Sequence, residues 1–369
     1  MLLSAAIIVR DEAEHLDACL RSLDGLVDEI VVVDTGSTDD SIEVARRHGA
    51  VLGHEPWQGD FATPRNRSLD LATGDWILYI DADERVHDGD HALVRELLAR
   101  ANAFVSFRVR FVPRVDWTPY REFRLWRHRP DIRFEHAIHE TMLDAIGRVA
   151  RAEGLLIGDL DALTIEHFGY EGDQTRKHAR NAPMLRASLE RDPDRPFLYD
   201  HLARIHEALG EHEEARASWR SGMAVARARD FEHPDDRLLW TNLLLHSVLH
   251  DDPDGDVAAV ADEAYARFGT NPAIEFALAL RELELGDAAQ AGARIEQLLR
   301  LDLDAIVETN TAYDRRLFGE WAWNALGLAR FELGDFDGAA AMFRLAETAD
   351  PENVAYRTRR QLADARAAK

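Results

Sequence analysis

The chain is predicted to fold as an α/β domain with a mostly parallel sheet, followed by an all-α array of helical repeats. Three observations support this. From the start to about residue 165, short apolar runs alternate with segments of helical period, the order that builds parallel sheets. Beyond about residue 170 strand-like runs cease, and the composition turns to Ala, Leu, Glu and Arg. Within that second part, three segments superpose on a glycine set between helices. The expected division is therefore residues 1–170 and residues 171–369.

The elements of the first part follow in order. Residues 3–9 read as a strand, and 13–23 as a helix with Leu16, Leu20 and Leu23 on one side. Residues 29–33 form a second strand ending at Asp34, and the turn 35–40 follows. Residues 41–48 are helical until Gly49 stops them. Residues 50–52 give a third short strand, 61–72 a helix, and 76–80 a fourth strand. Residues 104–112 and 123–127 alternate with the strand period and suggest a more antiparallel completion of the sheet, joined by a loop containing Pro113 and Pro119.

In the second part Gly210, Gly286 and Gly334 align. Five positions later stand Ala215, Ala291 and Ala339, and four beyond those Trp219, Ile295 and Phe343. Small then large residues at these offsets fit paired helices that pack closely at the small residue. The last unit, with Trp323, Leu326, Gly327, Gly334, Phe336, Ala339, Phe343, Ala346 and Pro351, resembles the tetratricopeptide repeat. The glycine spacings are not multiples of its 34-residue period, so an atypical unit over about residues 237–268 is expected to intervene. A plain helical bundle is the alternative.

Composition restricts the partners. The 369 residues carry a net charge of −24, which opposes association with nucleic acid or an anionic membrane surface. A hydrophobic fraction of 46% supports a packed core. The single cysteine, Cys19, lies among the leucines of the first helix and reads as a buried, inert thiol. Apolar runs fall far short of the roughly 18 residues of a membrane span, and no leader pattern opens the chain. A cytoplasmic protein without an integral membrane segment is expected.

The most informative stretch joins the fourth strand to Asp81-Ala82-Asp83-Glu84. Residues i and i+2 of an extended segment share a face, so Asp81 and Asp83 can aim two carboxylates at one point. Such a point suits Mg²⁺ or Mn²⁺, which take oxygen ligands and complete their shells with water and substrate phosphate. A diphosphate-bearing substrate is the natural partner; a solvated acidic turn is the plain alternative. In parallel sheets ligands bind beyond the carboxyl ends of the strands, where Arg10, Asp34 and Asp81 all fall.

Four blocks together resemble the family 2 nucleotide-sugar glycosyltransferases of the GT-A fold over about residues 1–170. They are Ile7-Ile8-Val9-Arg10-Asp11-Glu12, residues 30–39 around Asp34-Thr35-Gly36-Ser37, residues 65–76 beginning Arg65-Asn66, and Asp81-Ala82-Asp83-Glu84. The whole chain looks most like bacterial members with a tetratricopeptide-like second half, which include lipopolysaccharide-core and peptide S-glycosyltransferases. The resemblance implies an inverting, metal-dependent transfer of a sugar from a nucleotide-diphosphate donor, commonly a UDP-sugar, to a peptide, glycan or small-molecule acceptor. It implies that Asp34 binds the base with Glu12 beside it, and that Arg65 and Asn66 line the nucleotide side. Asp81 would approach the ribose, and Asp83, with Asp81, would hold the metal. The fixed donor fork of Arg65 matches phosphate oxygens.

The resemblance also carries an Arg-rich strand and a following His-Glu pair onto Arg124, Arg127, His139 and Glu140. Glu140 is then the base, with Glu135 and Glu122 as alternatives. His139 contacts metal or diphosphate, and Arg124 and Arg127 neutralise phosphate. The plain alternative makes His136 and His139 packed or surface residues of a short helix. Trp57, Trp117 and Trp126 are sugar-stacking candidates for which core packing is the simpler role. The helical half would supply acceptor recognition, a homodimer interface, or both.

Rival readings fail on context. Asp34-Thr35-Gly36-Ser37 is shared with aspartic proteases, but no second copy occurs and a helix follows. A haloacid-dehalogenase-type phosphatase would need Thr or Val where Arg85 stands. The competing class is a binding protein with a degenerate first domain, against which intact Asp34, Arg65, Asp81 and Asp83 argue.

Overall fold

The computed structural model describes residues 2–369 except 88, 90, 115, 170–174, 230–235, 251–256, 270, 304 and 310. The expected division at residues 170 and 171 lies outside the described residues. Two compact units are present. One comprises Met1–Val115, Pro119–Pro193 and Val307–Ala312; the other comprises Asp116–Thr118, Asp194–Ile306 and Tyr313–Lys369.

The first unit opens with β1 (Leu3–Val9), α1 (Ala13–Ser22), β2 (Glu29–Asp34), α2 (Ser41–Arg47), β3 (Val51–His54), α3 (Ala62–Leu71) and β4 (Trp76–Tyr79). It continues with β5 (Glu84–Val86), α4 (His91–Arg100), β6 (Phe104–Val112), β7 (Tyr120–Arg127), α5 (Leu143–Glu153), β8 (Leu156–His167) and α6 (Thr175–Arg191). The sheet order is β3-β2-β1-β4-β7-β6-β8-β5. Strands β3, β2, β1 and β4 are parallel, whereas β7 enters antiparallel to β4 and β6. Because β2 and β4 flank β1 on opposite sides, the strand order reverses at β1, the place where open α/β sheets form a crevice.

Strand periodicity sorts the core into two layers. Leu3, Ala5, Ile7 and Val9 of β1, with Trp76 and Leu78 of β4, pack against Leu16, Cys19 and Leu20 of α1 and Val94 and Leu98 of α4. Ala6, Val31 and Ile77 face the other way, onto Ala62 and Leu69 of α3 and Ile146 and Val149 of α5. Each fully buried Leu, Ile or Val side chain contributes about 1.5–3 kcal/mol. Both helical layers are thereby anchored, and the loops at the carboxyl ends of the strands have a firm base.

The second unit contains α7 (Pro196–Ala208), α8 (His212–Arg227), α9 (Arg237–Leu249), α10 (Val257–Phe268), α11 (Pro272–Glu284) and α12 (Ala288–Leu298). A 3-10 turn (Arg315–Phe318) leads to α13 (Glu320–Glu332), α14 (Phe336–Ala349) and α15 (Val354–Ala367). Gly210, Gly286 and Gly334 join α7 to α8, α11 to α12 and α13 to α14, all with φ between 75° and 81°. Their alanine partners Ala215, Ala291 and Ala339 are completely buried, as are Trp219 and Ile295, with Phe343 at 1% exposure. The α/β sheet followed by helical pairs is the architecture expected from the sequence. One expectation is corrected: strands do not cease near residue 170, because β9 (Glu308–Thr309) adds to β7 in parallel.

Gly327, inside α13, shows how close the helices come. A Cβ built there would lie 2.6–3.0 Å from the ring of buried Phe343. In an exposed helix Gly to Ala gains about 1 kcal/mol. Here Gly327→Ala is expected to lose about 1–3 kcal/mol by overpacking, read as a lower midpoint of denaturant unfolding at unchanged slope.

Candidate active site

The cleft is bounded first by the loops after β1 and β2, which are knitted together by hydrogen bonds. Asp11, at φ 54°, accepts from the backbone N–H of Thr38 at 2.7 Å, and its own N–H donates to Ser37 Oγ at 3.0 Å. The Glu12 N–H donates to Ser41 Oγ at 2.9 Å. Asp34 is 4% exposed, and its carboxylate accepts from the backbone N–H groups of Gly36 and Ser37, each at 3.0 Å. Gly36, at φ 114°, adopts a conformation that side chains disfavour. His54 Nδ1 lies 3.3 Å from the same carboxylate. Asp34 therefore caps its own turn while standing at the end of β2.

Arg65, buried on α3, forms the centre of the cleft floor. Its Nη2 donates to Asp81 Oδ1 at 2.8 Å and its Nε donates to Glu140 Oε1. The guanidinium carbon also lies 4.3 Å from the centre of the Tyr79 ring, within cation–π range. Burial alone would lower the pKa of Arg65, but the charges of Asp81, Tyr79 and Glu140 raise it, so it stays cationic. Burial pushes Glu140 up, opposed by Arg65.

Glu140 belongs to a closed loop in which Glu135 and Thr141 exchange backbone hydrogen bonds of 2.9 and 3.1 Å. His136 and His139 have φ of 77° and 49°, a left-handed geometry uncommon outside glycine. This segment is a loop, not a short helix. Asn66 fixes it: its side chain donates to the Phe134 carbonyl and accepts from the Phe134 N–H, both at 2.9 Å.

Asp83 faces a different set of partners. Its Oδ2 lies 3.3 Å from His167 Nε2, at the end of β8, and 3.5 Å from Lys177 Nζ on α6. Burial would raise its pKa, but the hydrogen bond and charge of His167 and the charge of Lys177 hold it well below the carboxylate range. The pKa of Glu12 is raised by burial and then by the charge of Asp83. At Gly169 a Cβ would overlap the Asp83 carboxylate, so a larger residue there would have to displace that side chain.

This donor set fits a hard divalent ion. Two ligands on one ion, with bonds of about 2.1 Å, stand about 3.0–3.4 Å apart; Asp83 Oδ2 and His167 Nε2, at 3.3 Å, have that spacing once the proton they share is released. Carboxylate oxygens with one imidazole suit Mn²⁺ or Mg²⁺.

The structure thus brings Glu12, Asp34, Arg65, Asp81, Asp83 and Glu140 to one end of the sheet, but it reassigns several neighbours. His167, not His139, reaches Asp83. Among the described residues, Asp81, Asp83 and His139 do not gather within ligand distance. The amide of Asn66 is occupied by the Phe134 backbone. Arg124 is 4% exposed and gives two hydrogen bonds of 2.8 and 3.0 Å to Glu84, with Glu122 at 2.9 Å. Arg127 pairs with Trp76 at the amino end of β4, where it donates to the carbonyls of Ala101 and Phe104, far from the carboxyl ends. Trp126 is completely buried and Trp57 packs edge-on against Phe61, while Cys19 is buried with its thiol pKa raised by desolvation.

His167 and Lys177 have no motif of their own. Lys177 does lie in a basic run, Arg176, Lys177 and Arg180, in an otherwise acidic chain.

The Glu84–Arg124 pair beneath the cleft gives a testable pH dependence. Removing one partner of a buried ion pair costs about 3–5 kcal/mol, so Arg124→Met should be strongly destabilised at about pH 8, where Glu84 must either stay charged without its partner or take up a proton that the unfolded chain does not hold. Burial already raises the pKa of Glu84. In the variant it rises further above its unfolded value, so the stability of the neutral form is kept at low pH and lost as pH rises through the folded pKa. Denaturant titrations should show the deficit shrinking towards about pH 5.

Residues 4–150 match Glycosyl transferase family 2, and residues 322–353 match the tetratricopeptide repeat. A TPR repeat-containing protein of Synechococcus elongatus is 34% identical over 269 residues, covering 71% of this chain and 65% of that protein. The SPbeta prophage-derived glycosyltransferase SunS of Bacillus subtilis is 25% identical over 222 residues, covering 58% and 51%. This chain thus spans less than two thirds of the length of either relative. Among solved structures, glucosyl-3-phosphoglycerate synthase from Mycobacterium tuberculosis aligns with a TM-score of 0.39 at 17% identity, over 52% of this chain and 79% of that one. The chain carries a family 2 glycosyl transferase domain and, near its other end, a tetratricopeptide repeat.

Proposed function

We propose that the cleft transfers a sugar, with inversion, from a nucleotide-diphosphate sugar to a peptide, glycan or small-molecule acceptor. The observation that carries this reading is the meeting of Asp83, which lies in the stretch matching Glycosyl transferase family 2, with His167 and Lys177, which follow that stretch in sequence. We take the donor to be a UDP-sugar, since a carboxylate such as Asp34 accepts the imide N–H that uracil presents. Asp81 faces the ribose, and Glu12 flanks the pocket. A bound Mg²⁺ or Mn²⁺, held by Asp83 and His167, supplies Lewis-acid stabilisation of the leaving diphosphate.

The chain's own residues do the remaining work. Lys177, about one third exposed, neutralises charge on the departing diphosphate. Arg65 holds Asp81 and Glu140 in fixed positions. Glu140, whose pKa is raised by burial, accepts the proton of the acceptor nucleophile as that atom bonds to the anomeric carbon. The bond from that carbon to the diphosphate oxygen breaks in the same displacement, and its electrons leave with the nucleoside diphosphate. The helical unit is assigned acceptor recognition or self-association, and the setting is cytoplasmic.

Thermal-shift titration with UDP-, GDP- and dTDP-sugars in the presence of Mn²⁺ should raise the unfolding temperature for UDP-sugars first. Metal-dependent UDP-sugar hydrolysis should fall about 100-fold or more in Asp83→Ala. Glu140→Gln should bind the donor as the parent does yet lose about 10²- to 10⁴-fold in transfer rate. Absence of nucleotide binding with every donor would overturn the enzymatic reading in favour of a binding protein, and full transfer by Glu140→Gln would move the base elsewhere.

A further inference from the structure

The helical unit holds a cluster of ligand-type side chains unrelated to the cleft. His212 opens α8, His246 lies in the last turn of α9, and His250 caps that helix four residues later. The i,i+4 spacing puts His246 and His250 on one face. One ring nitrogen from each of the three lies within 4.8 Å of the other two. The ring centres are 4.3 Å apart for His212 and His250, 4.6 Å for His246 and His250, and 5.2 Å for His212 and His246.

Hydrogen bonding leaves this cluster incomplete. His212 Nδ1 and His246 Nε2 are buried and, among the described residues, have no hydrogen-bond partner. Native interiors rarely leave such atoms unsatisfied. The other nitrogen of His246, Nδ1, lies 2.9 Å from Glu207 Oε1 on α7. A carboxylate can only accept, so the proton sits on Nδ1 and the lone pair of His246 is left at Nε2. A carboxylate behind a histidine in this way is how metal-ligating imidazoles are commonly oriented.

We propose that His212, His246 and His250 bind one divalent ion of the zinc class, with Glu207 orienting His246, and that the ion ties the start of α8 to the end of α9. Three imidazoles favour Zn²⁺, Co²⁺ or Ni²⁺ over the Mg²⁺ or Mn²⁺ that a carboxylate site prefers. Bonds of about 2.0–2.1 Å require the three nitrogens to draw together. His250, the exposed member, turns to close the site and leaves a fourth position open to water. Arg216 and Glu207 place opposite charges beside His250, so the cluster is not enclosed by positive charge alone.

The test uses the 369-residue chain carrying Asp83→Ala, which removes the carboxylate proposed to hold metal in the cleft, after stripping with a chelator. Titration with Co²⁺ should give visible ligand-field absorption at one ion per chain, displaced by Zn²⁺. Glu207→Gln should weaken binding by about 10- to 100-fold, and His250→Ala by at least as much. With Zn²⁺ at about 100 times its Kd, the unfolding temperature should rise by roughly 3–4 °C, a rise absent in His250→Ala. Since His250 is exposed, that variant should keep the circular dichroism of the parent. No Co²⁺ spectrum, or a spectrum and affinity unchanged in His250→Ala, would overturn the proposal and leave three histidines in ring contact without a metal. Donor binding at the cleft is not measured in this experiment, so its outcome is independent of the proposed transferase activity.

Discussion

A guanidinium taken out of water must be enclosed by carboxylates, and two such groups organise the carboxyl ends of the strands. Arg65 is held between Asp81 and Glu140, and Arg124 between Glu84 and Glu122. Desolvation of each ion costs several kcal/mol and is offset only when geometry is good and the remaining hydrogen bonds are met. Glu84 also accepts from the Asp81 N–H at 2.8 Å, so the two clusters are joined through the backbone of the acidic turn. The direction in which Asp81 points is therefore set from beneath by Arg65 and Glu84, both of them buried.

Much of the fold was legible because its signals are local. The first four strands and three helices of the sheet unit fall within a residue or two of their expected limits, since apolar runs and helical period report burial directly. Gly210, Gly286 and Gly334 marked the helical hairpins because a chain reversing between helices needs a positive φ. Strands β5, β8 and β9 were not legible. Their partners are distant in sequence, and β8 in particular alternates weakly, with several exposed positions among its buried ones.

The cleft was legible where one motif carries several groups, as in Asp81-Ala82-Asp83-Glu84, and illegible where one side chain arrives from far along the chain. His167 is a lone histidine at the end of β8, 84 positions beyond Asp83. Arg124 and Arg127 held a warning that pattern alone could supply. Residues three apart in a strand project to opposite faces, so both could not line one pocket. Arg65 was singled out from its place on the third helix, but the demand that burial makes on its donors could be seen only with Glu140 and Asp81 beside it.

That demand couples two equilibria. An anion that draws Arg65 towards itself competes with Glu140 for the same N–H donors, and a Glu140 that has lost part of its cationic partner holds a proton more tightly. Linkage makes the relation reciprocal: whatever factor the anion adds to the proton affinity of Glu140, protonation of Glu140 returns to the affinity for the anion. Through one guanidinium, an anion bound at Arg65 would alter the basicity of Glu140.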